Sequence, residues 1–233
     1  MTPLDPSTLV PAADLARYIQ HTLIEVGVTR ERIIEHAREC VQYGFDAAMV
    51  PGSWVAVVAN ELAGTGVKVA SALDFPTVGV TSPRGKAAEA EELVRLGARE
   101  LDIGVQLGWL KSGDYDGFRD DIAGVVAAGV PVKVMLELPL LTLAERDAAV
   151  ELSLEAGATF LKNASSGAVE IASPDSIAYL AERAPFGVLV KASGGIKSVE
   201  HSRALIAAGA TLLGTSAGVA IVTGTTDRNV RSY

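Results

Sequence analysis

The sequence alternates between short apolar runs and longer segments in which apolar residues recur with helical spacing. Continuous apolar runs are typical of strands in parallel sheets, whose two faces are both covered. The alternation predicts helices between successive strands. The predicted strands are Tyr18–Ile24, Ala47–Val50, Val67–Leu73, Glu100–Val105, Val132–Leu138, Phe160–Asn163, Val188–Ala192 and Leu212–Thr215.

Helix starts and stops support the same division of the chain. Capping residues open the predicted helices, as in the capping box of Thr142 and Glu145 and the pair Ser82-Pro83. A glycine follows each of seven predicted helices, where a left-handed stop favours it. These glycines are Gly44, Gly66, Gly97, Gly129, Gly157, Gly187 and Gly209.

About eight strand–helix pairs without a break in composition predict a closed (β/α)₈ TIM barrel. An open doubly wound sheet would show fewer strands and a topological switch point. We therefore expect one domain over residues 1–233, with a short extra helix around Val10 to Arg17. The polar segment 223–233 predicts a mobile tail; its Tyr233 could cover the barrel mouth as a proton carrier, but a frayed end is the favoured interpretation.

Composition and charge exclude several classes of protein. Hydrophobic residues make up 49% of the 233 residues and charged residues 21%, which is too apolar for a disordered chain. A net charge of −8 argues against general binding to nucleic acid or anionic membranes, so any bound phosphate must be held locally. The single Cys40, the lack of a signal-like start and the lack of a membrane-length apolar run predict a cytoplasmic protein.

Two lysines stand where predicted strands end, Lys162 after Phe160-Leu161 and Lys191 after Leu189-Val190. A single such lysine is usually a solvated strand end. If the two strands are neighbours, however, both amines face one pocket at the end of the barrel that carries chemistry. Mutual repulsion and partial desolvation would then let one amine lose its proton near neutral pH, and a neutral amine can attack a carbonyl.

Asp102 lies in a third apolar run, and a buried carboxylate must be paired or catalytic. Two interpretations stay open: a structural salt bridge to a lysine such as Lys133, or a proton carrier during imine formation. The glycine-rich turns after the last two predicted strands predict a phosphate site. Its candidate residues are Gly194, Gly195, Lys197, Gly214 and Ser216.

The remaining candidates for chemistry give weaker signals. His21, His36 and His201 are scattered over one predicted strand and two predicted helices without ligand spacing, so no metal site is expected. No organic cofactor is expected either.

Taken together, these residues resemble the deoxyribose-phosphate aldolases, a family of class I aldolases, over nearly the whole chain. The runs Lys191-Ala192-Ser193-Gly194-Gly195 and Lys111-Ser112-Gly113-Asp114-Tyr115 are the most specific part of the resemblance. The other matching stretches are His21-Thr22-Leu23, Val67-Lys68-Val69-Ala70, Asp102, Leu140-Leu141-Thr142, Lys162 and Ser216-Ala217-Gly218-Val219-Ala220.

The resemblance implies reversible cleavage of 2-deoxy-D-ribose 5-phosphate to acetaldehyde and D-glyceraldehyde 3-phosphate. It implies that Lys162 forms the Schiff base, that Lys191 lowers the pKa of Lys162, and that Asp102 moves protons. It also implies phosphate binding by the glycine-rich turns. Other expected pocket residues are Thr22, Asn163 and Ser165. A homodimer through exterior helices is expected by analogy only.

The chain departs from the family pattern at several positions. Asn163-Ala164-Ser165 replaces threonine-serine-threonine, Asp74 replaces a glycine, Gln20 an aspartate and Glu25 a lysine. These changes leave three alternatives open: an aldolase for another short sugar phosphate, a noncovalent phosphosugar isomerase or epimerase, and an inactive sugar-phosphate-binding barrel.

Overall fold

A computed structural model describes residues 12–225. Within them, eight parallel strands follow one another in sequence order and close into a barrel. The strands are β1 (Ile19–Thr22), β2 (Ala47–Val50), β3 (Lys68–Leu73), β4 (Glu100–Gly104), β5 (Val132–Met135), β6 (Phe160–Lys162), β7 (Leu189–Ser193) and β8 (Leu212–Thr215). The predicted (β/α)₈ barrel is confirmed, whereas the single domain over residues 1–233 stays a prediction.

Helices connect the strands and pack around the barrel. They are α1 (Arg30–Tyr43), α2 (Val55–Glu61), α3 (Pro83–Arg95), α4 (Leu107–Lys111), α5 (Tyr115–Val126), α6 (Leu143–Glu155), α7 (Pro174–Arg183), α8 (Val199–Ala207) and α9 (Gly218–Thr223). Segments of 3₁₀-helix lie at Ala13–Tyr18, Gly52–Trp54 and Leu138–Leu140. The first of these is the extra N-terminal helix that the sequence predicts.

Several local predictions hold in detail. The bounds of β2 and β8 match the predicted ones, the capping box at Thr142 and Glu145 forms, and all seven predicted stop glycines have positive φ. The expected β5 is too long, because Glu137 has a φ of 50° and turns the chain into a 3₁₀ segment after Met135. Helix α4 is not predicted.

The apolar core lies between the barrel wall and the helices. Outward-facing residues such as Ile19, Val50, Leu101, Val134 and Leu213 are fully buried there against the helix faces. Because side chains alternate along a strand, the intervening residues point into the barrel. The barrel interior therefore holds a network of charged and polar side chains beside a small apolar cluster of Ala47, Met49 and Ala70. The inward polar positions include Gln20, Lys68, Glu100, Asp102, Lys133, Lys162 and Lys191.

Residues 1–11 and 226–233 lie outside the described residues, and with them lie Tyr233 and most of the predicted tail. Between residues 12 and 225, no helix combines the length and the apolarity that crossing a membrane requires.

Candidate active site

Lys162 and Lys191 lie side by side at the carboxyl ends of β6 and β7. Their Cα atoms are register partners in the barrel wall. Both ammonium groups donate to the same oxygen, Asp102 Oδ2, from Lys162 Nζ at 2.8 Å and from Lys191 Nζ at 2.7 Å. The prediction that both amines face one pocket is confirmed.

Asp102 is fully buried on β4 and is held ionised by the lysines around it. Burial by itself would raise the pKa of this carboxyl group. The charges of Lys162, Lys191 and Lys133 outweigh burial and hold the pKa of Asp102 well below its usual range. Asp102 is therefore a permanent anion that bridges the two pocket amines.

Lys191 has the more perturbed environment of the two. It is fully buried, and burial, together with the charges of Lys162 and Lys133, lowers its pKa to about 7 against the opposing attraction of Asp102. An amine with this pKa exchanges its proton near neutral pH. The sequence predicts that repulsion between the two amines, together with partial desolvation, lets one of them lose its proton. At Lys191, burial is the largest cause of the lowered pKa, and the charge of Lys162 adds to it.

Lys133, on β5, makes the salt bridge that the sequence left open as an alternative role for Asp102. Its Nζ lies 3.3 Å from Asp102 Oδ1 and 2.6 Å from Glu100 Oε2. Burial would raise the pKa of Glu100, but Lys133 and Lys68 together lower it to about 2. Asp102 thus has a structural partner on one oxygen and the two pocket amines on the other.

Gln20, on β1, links the amine pair to a second charged group lower in the barrel. Its Oε1 accepts a hydrogen bond from Lys191 Nζ at 2.7 Å. Its Nε2 donates to Asp46 Oδ2 at 2.9 Å and to Glu100 Oε2 at 2.7 Å. Lys68 pairs with the same two carboxylates, so Gln20 and Lys133 both connect the pocket groups to the charges around Glu100.

The pocket above this network brings together most of the predicted site residues. Predicted residues that line it are Thr22, Asp102, Lys162, Ser165, Lys191, Gly194, Gly195, Lys197, Gly214 and Ser216. Its lining also includes Ser166, Gly167, Ser193, Ile196 and Thr215, and an apolar wall of Ile24, Met49, Ala72 and Phe75. Polar groups therefore face an apolar wall across one cleft.

Asn163 was expected in the pocket, but it lies outside the pocket lining. It is fully buried, its Oδ1 accepts from the Ser193 N–H at 2.9 Å, and its Nδ2 donates to Ser193 O at 3.0 Å and to Glu170 Oε2 at 2.9 Å. Because Lys162 points into the barrel, the next side chain points away from it. Asn163 therefore ties the loop after β6 to the backbone of β7.

At two of the predicted phosphate-site glycines, neighbouring atoms lie so close that no larger residue fits without displacing them. At Gly194, where φ is 113°, an added Cβ would lie 2.0 Å from Glu170 O. At Gly214, it would lie 2.3 Å from Ser193 Oγ and 3.0 Å from Lys191 Cε. Gly214 therefore makes room for the lysine beneath it, in addition to lining the pocket.

Asp74 and Glu25 both differ from the family pattern, and the structure gives Asp74 a clear role in holding a loop. Asp74 has a φ of 53°, in the region that favours glycine but that aspartate tolerates. Its carboxylate accepts from the N–H groups of residues 79–81 and pairs with the buried Lys86 at 3.1 Å. Burial opposes this ionisation, but Lys86 and the N–H donors lower the pKa of Asp74. Glu25 is exposed.

His21 and His36, which looked scattered in sequence, meet on the outer side of β1 together with Glu39. Their rings stack with centroids 4.5 Å apart and an angle of 30° between the planes. One potential ligand atom from each of the three residues lies within 4.8 Å of the others, and Glu39 also pairs with Arg32. These three residues lie outside the pocket lining, and the absence of a metal site stays a prediction.

Sequence reasoning missed the parts of the site that depend on contacts between distant segments. It noted Gln20 only as a departure, and it did not predict the apolar wall or the role of Glu100. One usable signal was the alternation within β4, where Glu100 and Asp102 must share a face. The contact between Gln20 and Lys191 left no such signal.

No family model matches the chain, but individual proteins resemble it closely. It is 43% identical to a deoxyribose-phosphate aldolase of Methanothermobacter thermautotrophicus, over 91% of this chain and 95% of that protein. It is 38% identical to that of a Geobacillus species, over 91% and 96%. The structure of deoxyribose phosphate aldolase from Aeropyrum pernix, described as tetrameric, superposes with a TM-score of 0.82 at 32% identity, over 90% of both chains. This chain belongs to the deoxyribose-phosphate aldolase family.

Proposed function

We propose that this protein is a class I aldolase that reversibly cleaves 2-deoxy-D-ribose 5-phosphate to acetaldehyde and D-glyceraldehyde 3-phosphate. The observation that carries the proposal is the pair of pocket amines on one oxygen of Asp102. Such a pair supplies a nucleophile and a proton acceptor within reach of one substrate carbonyl. Family membership supports the same activity.

Lys162 is the amine that we assign as the nucleophile. Its side chain keeps 7% of its surface exposed, whereas that of Lys191 is fully buried and engages both Asp102 and Gln20. A substrate carbonyl entering the pocket therefore reaches Lys162 first. Lys191, with its pKa of about 7, is suited to take up the proton that Lys162 must lose before it attacks.

Asp102 supports this transfer without storing the proton. Since its pKa lies well below the usual range, it stays a carboxylate that orients both amines and stabilises the positive charge of the imine. The sequence predicts Asp102 as a proton carrier, whereas we propose that Asp102 stays ionised and orients the two amines between which the proton moves.

The reaction then follows from imine chemistry. Neutral Lys162 adds to the C1 aldehyde, and loss of water gives a protonated imine. Removal of the C3 hydroxyl proton breaks the C2–C3 bond, whose electrons move into the imine to leave an enamine. D-glyceraldehyde 3-phosphate departs, C2 takes up a proton, and water hydrolyses the remaining imine to release acetaldehyde and Lys162.

The turns after β7 and β8 are the proposed phosphate anchor. Gly194, Gly195, Gly214 and Ser216 line one end of the pocket, and the exposed Lys197 adds a positive charge there. Backbone N–H groups in glycine turns suit a phosphate, and a chain with net charge −8 needs such a local site. Thr22 and Ser165 offer polar contacts to the sugar, while the wall containing Ile24 and Met49 suits the acetaldehyde carbons.

Assembly and location also remain proposals. The tetramer described for the Aeropyrum pernix protein supports self-association, and we propose a homodimer as the smallest such unit. Mass measurement by light scattering tests it, and a monomer would refute it. Cytoplasmic action, which the sequence predicted, is tested by fractionating cells of the source organism.

Borohydride trapping tests the proposed nucleophile. Reduction in the presence of the sugar phosphate should fix an adduct on the peptide that carries Lys162, as read by mass spectrometry. Lys162→Arg should abolish the adduct and lower kcat by roughly 10⁴-fold or more, since arginine keeps a charge but forms no imine. Lys111→Arg, at an exposed position, is the matched control and should keep both adduct and rate. Appreciable activity in Lys162→Arg would instead favour noncovalent isomerase chemistry.

A further inference from the structure

Both polar atoms of the Gln20 side chain form hydrogen bonds to charged groups. It is fully buried inside the barrel, with Oε1 on Lys191 and Nε2 between Asp46 and Glu100. The reverse orientation would aim the NH₂ group at an ammonium and the carbonyl at two carboxylates. The neighbouring charges therefore fix the direction of the amide.

A carboxylate at the same position would change the charge balance on both sides. It would face Asp46 and Glu100 at hydrogen-bond distance, where like charges repel. It would also give Lys191 a second anionic partner beside Asp102. The amide avoids both effects, because it accepts a hydrogen bond from Lys191 while carrying no charge.

An amide also differs from a carboxylate in its proton chemistry. Its oxygen is not basic and its N–H is not acidic near neutral pH, so it neither takes up nor passes on a proton. Below Gln20, the ion network of Lys68, Asp46 and Glu100 leads toward the other end of the barrel. The amide therefore passes no proton from Lys191 to Asp46 or Glu100 through position 20, whereas Lys133 forms a separate ionic link between Asp102 and Glu100.

We infer that Gln20 is a positioning residue that holds Lys191 against Asp102 without adding negative charge. This inference rests on the proposed function, because it assigns Gln20 a role in proton transfer at that same site. Gln20 acts through Lys191, and it is not part of the pocket lining.

The groups that face Lys191 come from every strand packed around it. Asp102 on β4 attracts its charge, while Lys162 on β6 and Lys133 on β5 repel it. On β8, Gly214 leaves the space that the side chain occupies. Gln20 on β1 is thus the contact at which a single substitution adds a charge next to Lys191 with little change in volume.

Gln20→Glu tests the inference through the pH dependence of imine formation. The added anion should favour protonated Lys191 and move the acid limb of the trapping rate upward by about one pH unit or more. At a fixed pH on that limb, the rate should fall roughly tenfold. Gln20→Met removes the contact without adding charge and should slow trapping without moving the limb upward. Gln42→Glu, exposed on α1, adds the same charge elsewhere and should change neither quantity.

Failure of the inference and failure of the proposed function give different results. Suppose that the wild-type protein traps an adduct and that Gln20→Glu is folded. The inference is then overturned if the acid limb of the Gln20→Glu trapping rate stays at the wild-type pH or moves to lower pH. If wild-type protein traps none, the proposed function fails. The charge effect is then tested by NMR titration of the Lys191 ¹⁵Nζ signal, assigned with Lys191→Arg. An upward shift in Gln20→Glu supports the charge role, and an unchanged titration overturns it.

Discussion

Replacing Lys191 with methionine tests the electrostatics of the pocket through the stability of the fold. Burial, aided by Lys162 and Lys133 and opposed by Asp102, lowers the pKa of Lys191 from 10.5 to about 7. In the unfolded chain the same amine regains its ordinary value. Between these two pH values the unfolded chain therefore binds more protons than the folded protein does.

The size of the effect follows from proton linkage. Where the unfolded state holds more protons, the free energy of unfolding rises with pH. Each unit of pH inside the window contributes at most about 1.4 kcal/mol, so the wild-type protein should gain about 2–3 kcal/mol from Lys191 between pH 7 and pH 9. Below pH 7 the contribution levels off, because both states carry the proton. Methionine has similar bulk and no titrating group.

The assay is urea unfolding of the wild type and Lys191→Met across the range from about pH 6 to pH 9. The measured quantity is the difference between their free energies of unfolding, in which the titration of all unaffected groups cancels. The free energy of unfolding of the wild type, relative to that of Lys191→Met, should increase by about 2–3 kcal/mol between pH 7 and pH 9. Lys111→Met, at an exposed site, should show a difference that does not vary with pH.

A flat difference for Lys191→Met would refute the reasoning, since it would mean that burial and neighbouring charges do not lower the pKa of this amine. A decrease in the free energy of unfolding of the wild type relative to the variant, as the pH rises, would have the same meaning. Either result would also remove the basis for Lys191 as the proton acceptor in imine formation.

Two further substitutions test close contacts described above. Gly214→Ala should lower kcat/KM roughly tenfold or more, because the new methyl would lie 2.3 Å from Ser193 Oγ and 3.0 Å from Lys191 Cε and so displace the amine. A coupled assay of glyceraldehyde 3-phosphate release measures it. Asp74→Ala should lower the free energy of unfolding by about 3 kcal/mol, measured in urea, because the N–H groups of residues 79–81 lose an acceptor and the buried Lys86 keeps only Asp121 of its two carboxylate partners.

Each of these has a matched control. At Gly108, on α4, an added Cβ meets nothing within 4 Å, so Gly108→Ala should keep the wild-type kcat/KM. Equal losses at the two glycines would contradict the steric argument. Asp116 forms an exposed pair with Arg119, and Asp116→Ala should change stability by less than about 1 kcal/mol. If Asp74→Ala costs no more than this, the loop is held by other contacts.

The sequence predicts the barrel well because its signals are local. Apolar runs, capping residues and stop glycines each act within a few residues, and the register pair Lys162 and Lys191 follows once their strands are neighbours. Helix α4 escapes prediction because it is short. The end of β5 was misjudged because only the backbone reveals the positive φ of Glu137.

The site is less predictable because its side chains meet across the barrel. The contact between Gln20 and Lys191 joins residues 171 positions apart, and composition around either residue does not indicate it. Asn163 misleads for a simpler reason. It stands next to Lys162 in sequence, but alternation along the chain sends its side chain to the opposite face, where the Ser193 backbone binds it.

The network of charged side chains inside the barrel has a consequence for protein engineering. Inside the barrel, Lys133 contacts Asp102, and Glu100 contacts Lys133 and Gln20. Refilling the centre with aliphatic residues to gain heat resistance would therefore alter turnover as well. Substitutions intended only to raise the stability of the fold should be made in the apolar layer between the barrel wall and the surrounding helices, which lies apart from the pocket.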